Sequence, residues 1–168
     1  MVGEPIIVTA LFGDGDNGWL QDLRRRHFPP ERNIVPAHLT LFHHLPPAVE
    51  RELGQRLKSY AAVQAPEARI IGIMDLGRGT AFRVESEELQ DIRYDLLEAF
   101  RGMLIPQDQA PWRPHITIQN KVEPRLAKSL QAELRARFEP RPLSIKGLAS
   151  WRYMGGPWQP IREHVFRG

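Results

Sequence analysis

The feature that most constrains the fold is a repeated order of predicted elements. A strand, a helix and a hairpin follow His38, and the same order follows His115, 77 residues later. In each stretch the helix is predicted to begin about nine or ten residues after the histidine. An order that occurs twice predicts two similar lobes related by a pseudo-two-fold axis. We therefore expect an α+β fold of two pseudo-symmetric lobes, each a mainly antiparallel sheet with helices on its outer face.

Local signals place the elements of this repetition. A first strand is predicted at 5–12, before a glycine-rich turn, and Asp16 is expected to cap the helix that follows. Apolar periodicity and turn residues predict the remaining elements in chain order: a strand at 38–43, a helix from about 48, a hairpin at 67–85, a helix capped by Ser86, a loop at 102–114, a strand at 115–120, a helix opened by Pro124 and a hairpin at 143–166.

Length and composition favour one compact unit whose chemistry depends on histidine. The 168 residues predict a single domain over 1–168, with a first-motif lobe around 38–85 and a second-motif lobe around 115–167. The chain has no cysteine, which excludes disulfide bonds, thiolate metal ligands and a cysteine nucleophile. A formal net charge of +3 and a pI of about 9.6 suit an anionic ligand.

The hydropathy of the chain argues against a membrane partner. No apolar run approaches the roughly 18 residues of a membrane span. The first residues, MVGEPIIVTALFGDGD, have no basic region before their apolar stretch, so they do not resemble a signal peptide. We therefore expect a cytoplasmic protein. We also expect a monomer.

Two four-residue motifs, HLTL at 38–41 and HITI at 115–118, occupy equivalent places in the repetition; we call them the tetrads. Side chains alternate along a strand, so each histidine shares a face with the threonine two residues later, and the apolar residues face the helix. With six histidines and four threonines in the chain, chance rarely produces two such pairs in matching strands. Facing lobes would bring both His–Thr pairs around one cavity.

These side chains suit phosphoryl transfer at a ribose. A free imidazole titrates at about pH 6.5, so one of His38 and His115 can act as base while the other, kept charged by the phosphate, acts as acid. The hydroxyls of Thr40 and Thr117 can donate hydrogen bonds to the non-bridging phosphate oxygens, whose negative charge grows in the transition state. Such a scheme requires neither a metal ion nor a cofactor, and we expect neither.

The tetrads, as HLTL and PHITI, resemble the paired signature motifs of the 2H phosphoesterase superfamily, which includes bacterial 2′-5′ RNA ligases and cyclic phosphodiesterases. Their spacing, the repeated layout and the closing hairpin around WRYMGGPW extend the resemblance to nearly the whole chain. The resemblance implies two lobes around a V-shaped groove. It implies that a 2′,3′-cyclic phosphate, on an RNA end or a nucleotide, is opened to a 2′-phosphate. It further implies that His115 activates water and that His38 protonates the departing 3′-oxygen.

One position departs from this resemblance. RNA-ligase-type members often have an arginine five residues after the second histidine, where this chain has Asn120 followed by Lys121. The departure concerns ligation, whereas both His–Thr pairs needed for hydrolysis are intact. Three alternatives stay open: RNA-ligase-like activity, a module that binds an RNA end or nucleotide without turnover, and another diester substrate such as ADP-ribose 1″,2″-cyclic phosphate or an acyl-phosphopantetheine-like diester.

Three further residues are candidates for substrate binding. Trp112 and Arg113 precede the second tetrad, where an indole can stack on a base and a guanidinium can pair with a phosphate. The alternative is an indole that closes the lobe and a solvated arginine. Phe42 is expected on the histidine face of its strand, as groove floor or base-stacking residue, or else in the core. His43 and His44 invite a zinc interpretation, but adjacent strand residues point to opposite faces, so no metal site is predicted.

Overall fold

The computed structural model describes residues 3–168, in which helices pack on a mainly antiparallel sheet. None of the helices in this range is long and apolar enough to cross a membrane. The strands within it are β1 (Ile6–Phe12), β2 (Leu39–Leu45), β3 (Glu67–Asp75), β4 (Thr80–Glu85), β5 (His115–Gln119), β6 (Arg141–Tyr153) and β7 (Trp158–Val165). The α-helices are α1 (Asp14–His27), α2 (Glu50–Ala61), α3 (Glu87–Ala99), α4 (Pro106–Gln109) and α5 (Pro124–Arg137).

The predicted helix signals are confirmed for α3 and α5. Oγ of Ser86 accepts a hydrogen bond from the backbone N–H of Leu89 at 3.2 Å, which satisfies one of the free donors at the start of α3. Pro124 occupies the first turn of α5, where a backbone N–H would have no helical partner. The loop predicted at 102–114 contains the short helix α4, which the apolar pattern of the sequence did not predict.

The prediction that Asp16 caps the first helix is wrong. α1 begins at Asp14, and its N-cap is the extended Gly13. The backbone N–H of Gly13 donates to the carbonyl oxygen of Ser144 at 3.0 Å, and a Cβ at this glycine would lie 2.5 Å from Oγ of Ser144. The Asp16 carboxylate instead accepts hydrogen bonds from Arg141 at 2.9 Å and from the backbone N–H of Ser144 at 2.7 Å. Asp16 therefore ties α1 to the sheet.

The strands form one antiparallel array in the order β2-β1-β6-β3-β4-β5, with β7 also paired to β6. β6 has 13 residues and serves both halves of this array. Its residues 141–144 pair with β3, whereas its later residues pair with β1 and β7. The two halves therefore share one strand, and the predicted α+β class is confirmed.

The two repeated stretches are interleaved in space. The first-tetrad strand β2 pairs with β1 and thereby joins the hairpin β6–β7, which follows the second tetrad in sequence. The second-tetrad strand β5 pairs with β4, in the hairpin that follows the first tetrad. Likewise α2 packs against β6 and β7, and α5 packs against β3. The predicted lobes around 38–85 and 115–167 are therefore wrong as spatial units, because each hairpin lies with the strand of the other tetrad.

Irregular pairing in β2 changes which residues share a face. Thr40 lies opposite Thr9 but Phe42 lies opposite Val8, so one extra residue is inserted between these pairs. Cross-strand partners point to the same side, so Phe42 turns away from the face of Thr40. Its side chain is 0% exposed and lies under the guanidinium of Arg93, 4.6 Å from the ring centroid. The expectation that Phe42 shares the histidine face is wrong, and Phe42 is a core residue.

Candidate active site

The strands of the two tetrads lie at the ends of the strand order and are in contact with each other. The indole N–H of Trp112 donates to the carbonyl oxygen of Thr40 at 2.9 Å. The guanidinium of Arg24 donates to the carbonyl oxygen of Thr117 at 2.8 Å. Each tetrad is thus fixed at its threonine by a side chain from a distant part of the sequence.

The apolar residues of the tetrads anchor this arrangement in the core. Leu39, Leu41, Ile116 and Ile118 are all 0% exposed. The predicted alternation within each tetrad is therefore confirmed, with the polar pair on one face and the apolar pair on the other. Burial of each such side chain contributes about 1.5–3 kcal/mol, so the polar pairs are held on a rigid support.

The two tetrad histidines make the same hydrogen bond. Nδ1 of His38 lies 2.7 Å from the carbonyl oxygen of Pro36, and Nδ1 of His115 lies 2.7 Å from that of Arg113. A carbonyl oxygen only accepts, so each Nδ1 carries a hydrogen and donates it. Nε2 of each ring is then the atom that accepts a proton when the ring is neutral and donates one when it is charged.

One cavity of about 240 Å³ contains both His–Thr pairs. Two arginines and three histidines line this cavity, and none of the described lining residues is acidic. The cavity therefore suits an anion. Of the residues predicted for the site, the buried Phe42 is absent from this lining. The others are present: His38, Thr40, Trp112, Arg113, His115 and Thr117.

The environment of His38 determines its charge. The pKa of this imidazole is lowered to about 4, chiefly by burial; the hydrogen bond to Pro36 opposes the shift, and the nearby positive charge of Arg24 adds to it. The ring lies against the indole of Trp158, with 4.6 Å between centroids, which keeps water from one side. His38 is therefore neutral at pH 7 in the protein alone, and an anion in the cavity would favour its protonation.

Several residues around the cavity were not predicted from the tetrads. Trp158 lies in the closing hairpin, and the aromatic segment WRYMGGPW was the available signal for it. His43 also lines the cavity, and its Nδ1 lies 3.0 Å from the buried carboxylate of Asp108. Nothing in the sequence pattern pointed to Asp108 or to Arg24. In the part of the chain that the structure describes, no group of three His, Cys, Asp or Glu side chains is placed to hold a metal ion.

A larger cavity of about 890 Å³ lies between α1 and α5. Its lining is mostly apolar and includes Trp19, Phe82 and Leu134, and neither tetrad reaches it. Both His–Thr pairs converge in the smaller cavity, where their side chains can act on one ligand. The smaller cavity is therefore the candidate active site.

Sequence comparison identifies the family. A family model described as the 2′-5′ RNA ligase superfamily matches residues 12–157. The matched range includes both tetrads and extends from the end of β1 to the closing hairpin. The comparison with curated protein sequences found no match.

Solved structures share the fold over nearly the whole chain. TT0787 of Thermus thermophilus superposes with a TM-score of 0.66 at 19% identity, with 98% of each chain covered. E. coli LigT complexed with 3′-AMP superposes with a TM-score of 0.61 at 15% identity, with 99% of each chain covered. A structure described as a phosphoesterase gives a TM-score of 0.59 at 16% identity, with 98% of this chain and 99% of that chain covered. At these identities the likeness shows the fold.

Proposed function

The chain belongs to the 2′-5′ RNA ligase superfamily, and we propose that it is a 2H-type phosphodiesterase that hydrolyses a 2′,3′-cyclic phosphate to a 2′-phosphate. The observation that carries the proposal is the pair of histidines with matching Nδ1 hydrogen bonds, which line one cavity with both threonines. E. coli LigT has been solved with 3′-AMP, NADP+ and ATP. Nucleotides in a protein of this fold support a nucleotide or RNA end as the substrate here.

In the proposed reaction water attacks the phosphorus atom and the bond from phosphorus to the 3′-oxygen breaks. One imidazole accepts a proton from the water, and the other gives a proton to the departing 3′-oxygen. Following the family resemblance, His115 is the base and His38 is the acid. The hydroxyls of Thr40 and Thr117 donate to the non-bridging oxygens, where negative charge accumulates.

The low pKa of His38 adds a requirement to this scheme. An acid must hold its proton when the substrate is bound, yet His38 is neutral at pH 7 in the protein alone. A negative charge within about 4–6 Å raises the pKa of an imidazole by roughly 1–3 units. The substrate phosphate thus recruits the proton that His38 later donates, which makes proton uptake on binding part of the mechanism.

RNA ligation has less support than hydrolysis. Ligation needs two RNA ends in one site, whereas hydrolysis needs one. At position 120, where ligase-type members often have arginine, the side-chain oxygen of Asn120 accepts the backbone N–H of Lys121 at 2.9 Å. We therefore place hydrolysis of a single end first.

The direct test is to incubate the purified protein with adenosine 2′,3′-cyclic phosphate in excess EDTA and to identify the product by ³¹P NMR. We expect adenosine 2′-phosphate at the same rate with and without EDTA. A His115→Ala preparation controls for contaminating phosphodiesterases and should form almost no product. Binding without turnover, formation of the 3′-phosphate alone, or loss of turnover in EDTA that a divalent ion restores would each contradict the proposal.

A further inference from the structure

His43 is a third histidine at the cavity that contains the two His–Thr pairs. Its Nδ1 lies 3.0 Å from Oδ1 of Asp108, on the short helix α4. The Asp108 side chain is 1% exposed, whereas the His43 side chain is 40% exposed. One end of the pair is therefore buried, and the other end is accessible from the cavity.

The carboxylate of Asp108 is held by several donors besides the His43 ring. It accepts the backbone N–H groups of His43 and His44 at 2.9–3.0 Å. The guanidinium of Arg93 donates to the carbonyl oxygens of Asp108 at 2.6 Å and Leu41 at 3.1 Å, which docks α4 on β2. Burial by itself would raise the pKa of Asp108, but the donors from His43 and His44 leave that pKa below its usual value. The carboxylate is therefore ionised at pH 7.

An ionised carboxylate determines the orientation of the ring. It only accepts hydrogen bonds, so Nδ1 of His43 carries a hydrogen and Nε2 is the free nitrogen. When Nε2 also carries a hydrogen, the ring can donate it to an anion while Nδ1–H stays bound to the carboxylate. A purely structural link would not need this ring, because two backbone N–H groups already satisfy Asp108.

His43 lies further along β2 than the first His–Thr pair. It follows Thr40 by three positions, which is about 10 Å along an ideal strand, and the bulge at this point shortens the separation. The backbone positions of Thr40 and His43 are therefore separated by a length comparable with that of one nucleotide. The described cavity lining contains no acidic side chain, and the carboxylate of Asp108 lies on the Nδ1 side of the His43 ring, 3.0 Å from that nitrogen.

On the basis of the proposed function, we propose that the His43 ring, held in place by Asp108, forms a second anion subsite, which binds the phosphate ester on the 5′ side of the terminal nucleotide. The substrate class is then a 2′,3′-cyclic phosphate that carries a second phosphate, as at the 3′ end of an oligonucleotide. A nucleoside cyclic phosphate, with no 5′ phosphate, leaves this subsite unused.

Two asparagine variants separate ligand binding from structural support. His43→Asn keeps an N–H donor near the position of Nδ1, facing Asp108, and removes Nε2. His44→Asn is the matched control, since this neighbouring histidine is exposed, does not line the cavity and contacts Asp108 only through its backbone N–H. Circular dichroism and Tm verify that both variants fold.

The measurement is calorimetric binding of adenosine 2′-phosphate and adenosine 2′,5′-bisphosphate at about 0.15 M salt, where long-range attraction is screened. We expect the wild type to bind the bisphosphate about tenfold more tightly, as one hydrogen bond to a charged group allows. The ratio should fall to about twofold or less in His43→Asn and stay at about tenfold in His44→Asn.

The outcomes distinguish this subsite from the proposed function. A wild type without preference for the bisphosphate, or a His43→Asn variant that keeps the preference, overturns the subsite. Loss of the preference in His44→Asn to the same extent also overturns it, because the effect would then come from the local fold. A preference that depends on His43 in a protein that hydrolyses no cyclic phosphate supports the subsite and defeats the proposed function.

Discussion

The hydrogen bond from Nδ1 of each tetrad histidine to the carbonyl oxygen two residues earlier determines which nitrogen faces the substrate. The sequence pattern predicts the pair of rings but not this orientation, which depends on the extended backbone before each strand. His38 has a further constraint, because the indole of Trp158 lies against its ring at a tilt of 55°. We attribute its low pKa chiefly to burial.

NMR titration of His38 tests this interpretation. We expect a pKa of about 4 in the protein alone, and an increase of roughly 1–3 units when saturating sulfate provides an anion in the cavity. Sulfate suits the test because it does not titrate in this range. The ring signals of His44, outside the cavity, serve as the control and should not respond. A His38 pKa near 6.5 without sulfate, or no response to sulfate, would contradict the mechanism.

The same pKa predicts how stability depends on pH. The pKa of His38 falls from 6.5 in the unfolded chain to about 4 in the fold, so between these values the unfolded chain binds the proton more readily. The stabilisation is fully present above pH 6.5 and is lost as the pH falls towards 4. We expect Tm to decline less over this interval in His38→Asn than in the wild type. An equal decline in both proteins would show that His38 is not the group responsible.

At the scale of elements, α1 positions the second tetrad through one buried side chain. Arg24 is 3% exposed, and burial lowers its pKa to about 10, so it remains charged at pH 7. Its guanidinium donates to the carbonyl oxygens of Thr117 and Val35, both at 2.8 Å, and to the side-chain oxygen of Asn33 at 3.1 Å. The helix, the segment before β2 and the strand β5 are thereby joined.

Replacement of Arg24 by methionine keeps an apolar stem and removes these donors. A buried acceptor without a partner costs roughly 1–3 kcal/mol, so Arg24→Met should lower the free energy of unfolding by about 2–4 kcal/mol. The adjacent Arg25→Met is the matched control and should change it by less than about 0.5 kcal/mol, because Arg25 is exposed and meets the exposed Asp22 at 3.6 Å. Chemical denaturation measures both. Similar losses in the two variants would show that the Arg24 hydrogen bonds contribute little.

The elements show where sequence reasoning succeeds and where it fails. Ser86 caps α3 and Pro124 begins α5, so the role of each residue follows from the sequence of its own helix. Phe42 was placed on the wrong face because the bulge in β2 depends on pairing with β1, which alternation alone does not reveal. Asp16 resembles a helix cap, but its partners lie in β6, more than 120 positions away in the chain. Local signals thus predict elements, whereas tertiary pairing determines their boundaries and faces.

At the scale of the whole molecule, the predicted order of elements does occur twice, but the hairpin of each stretch pairs with strands of the other half of the sheet. Each tetrad strand lies with the hairpin of the other stretch, and β6 connects the halves. This arrangement brings the two tetrads, 77 positions apart in sequence, to one cavity. The sequence therefore predicts the two His–Thr pairs through their repetition, but not residues such as Arg24 and Asp108, which contact Thr117 and His43 from single, unrepeated elements.

The joint use of His38 and His115 is tested by kcat/KM for a 2′,3′-cyclic phosphate in the wild type, His38→Ala, His115→Ala and the double variant. General acid or base assistance contributes about 100 to 10,000 times in rate, so each single replacement should cost a factor of that order. If both rings serve one displacement, the double variant should remain folded with activity close to that of the less active single variant. Losses that multiply, as they do for independent sites, or more than about half of the activity in either single variant, would contradict a shared site.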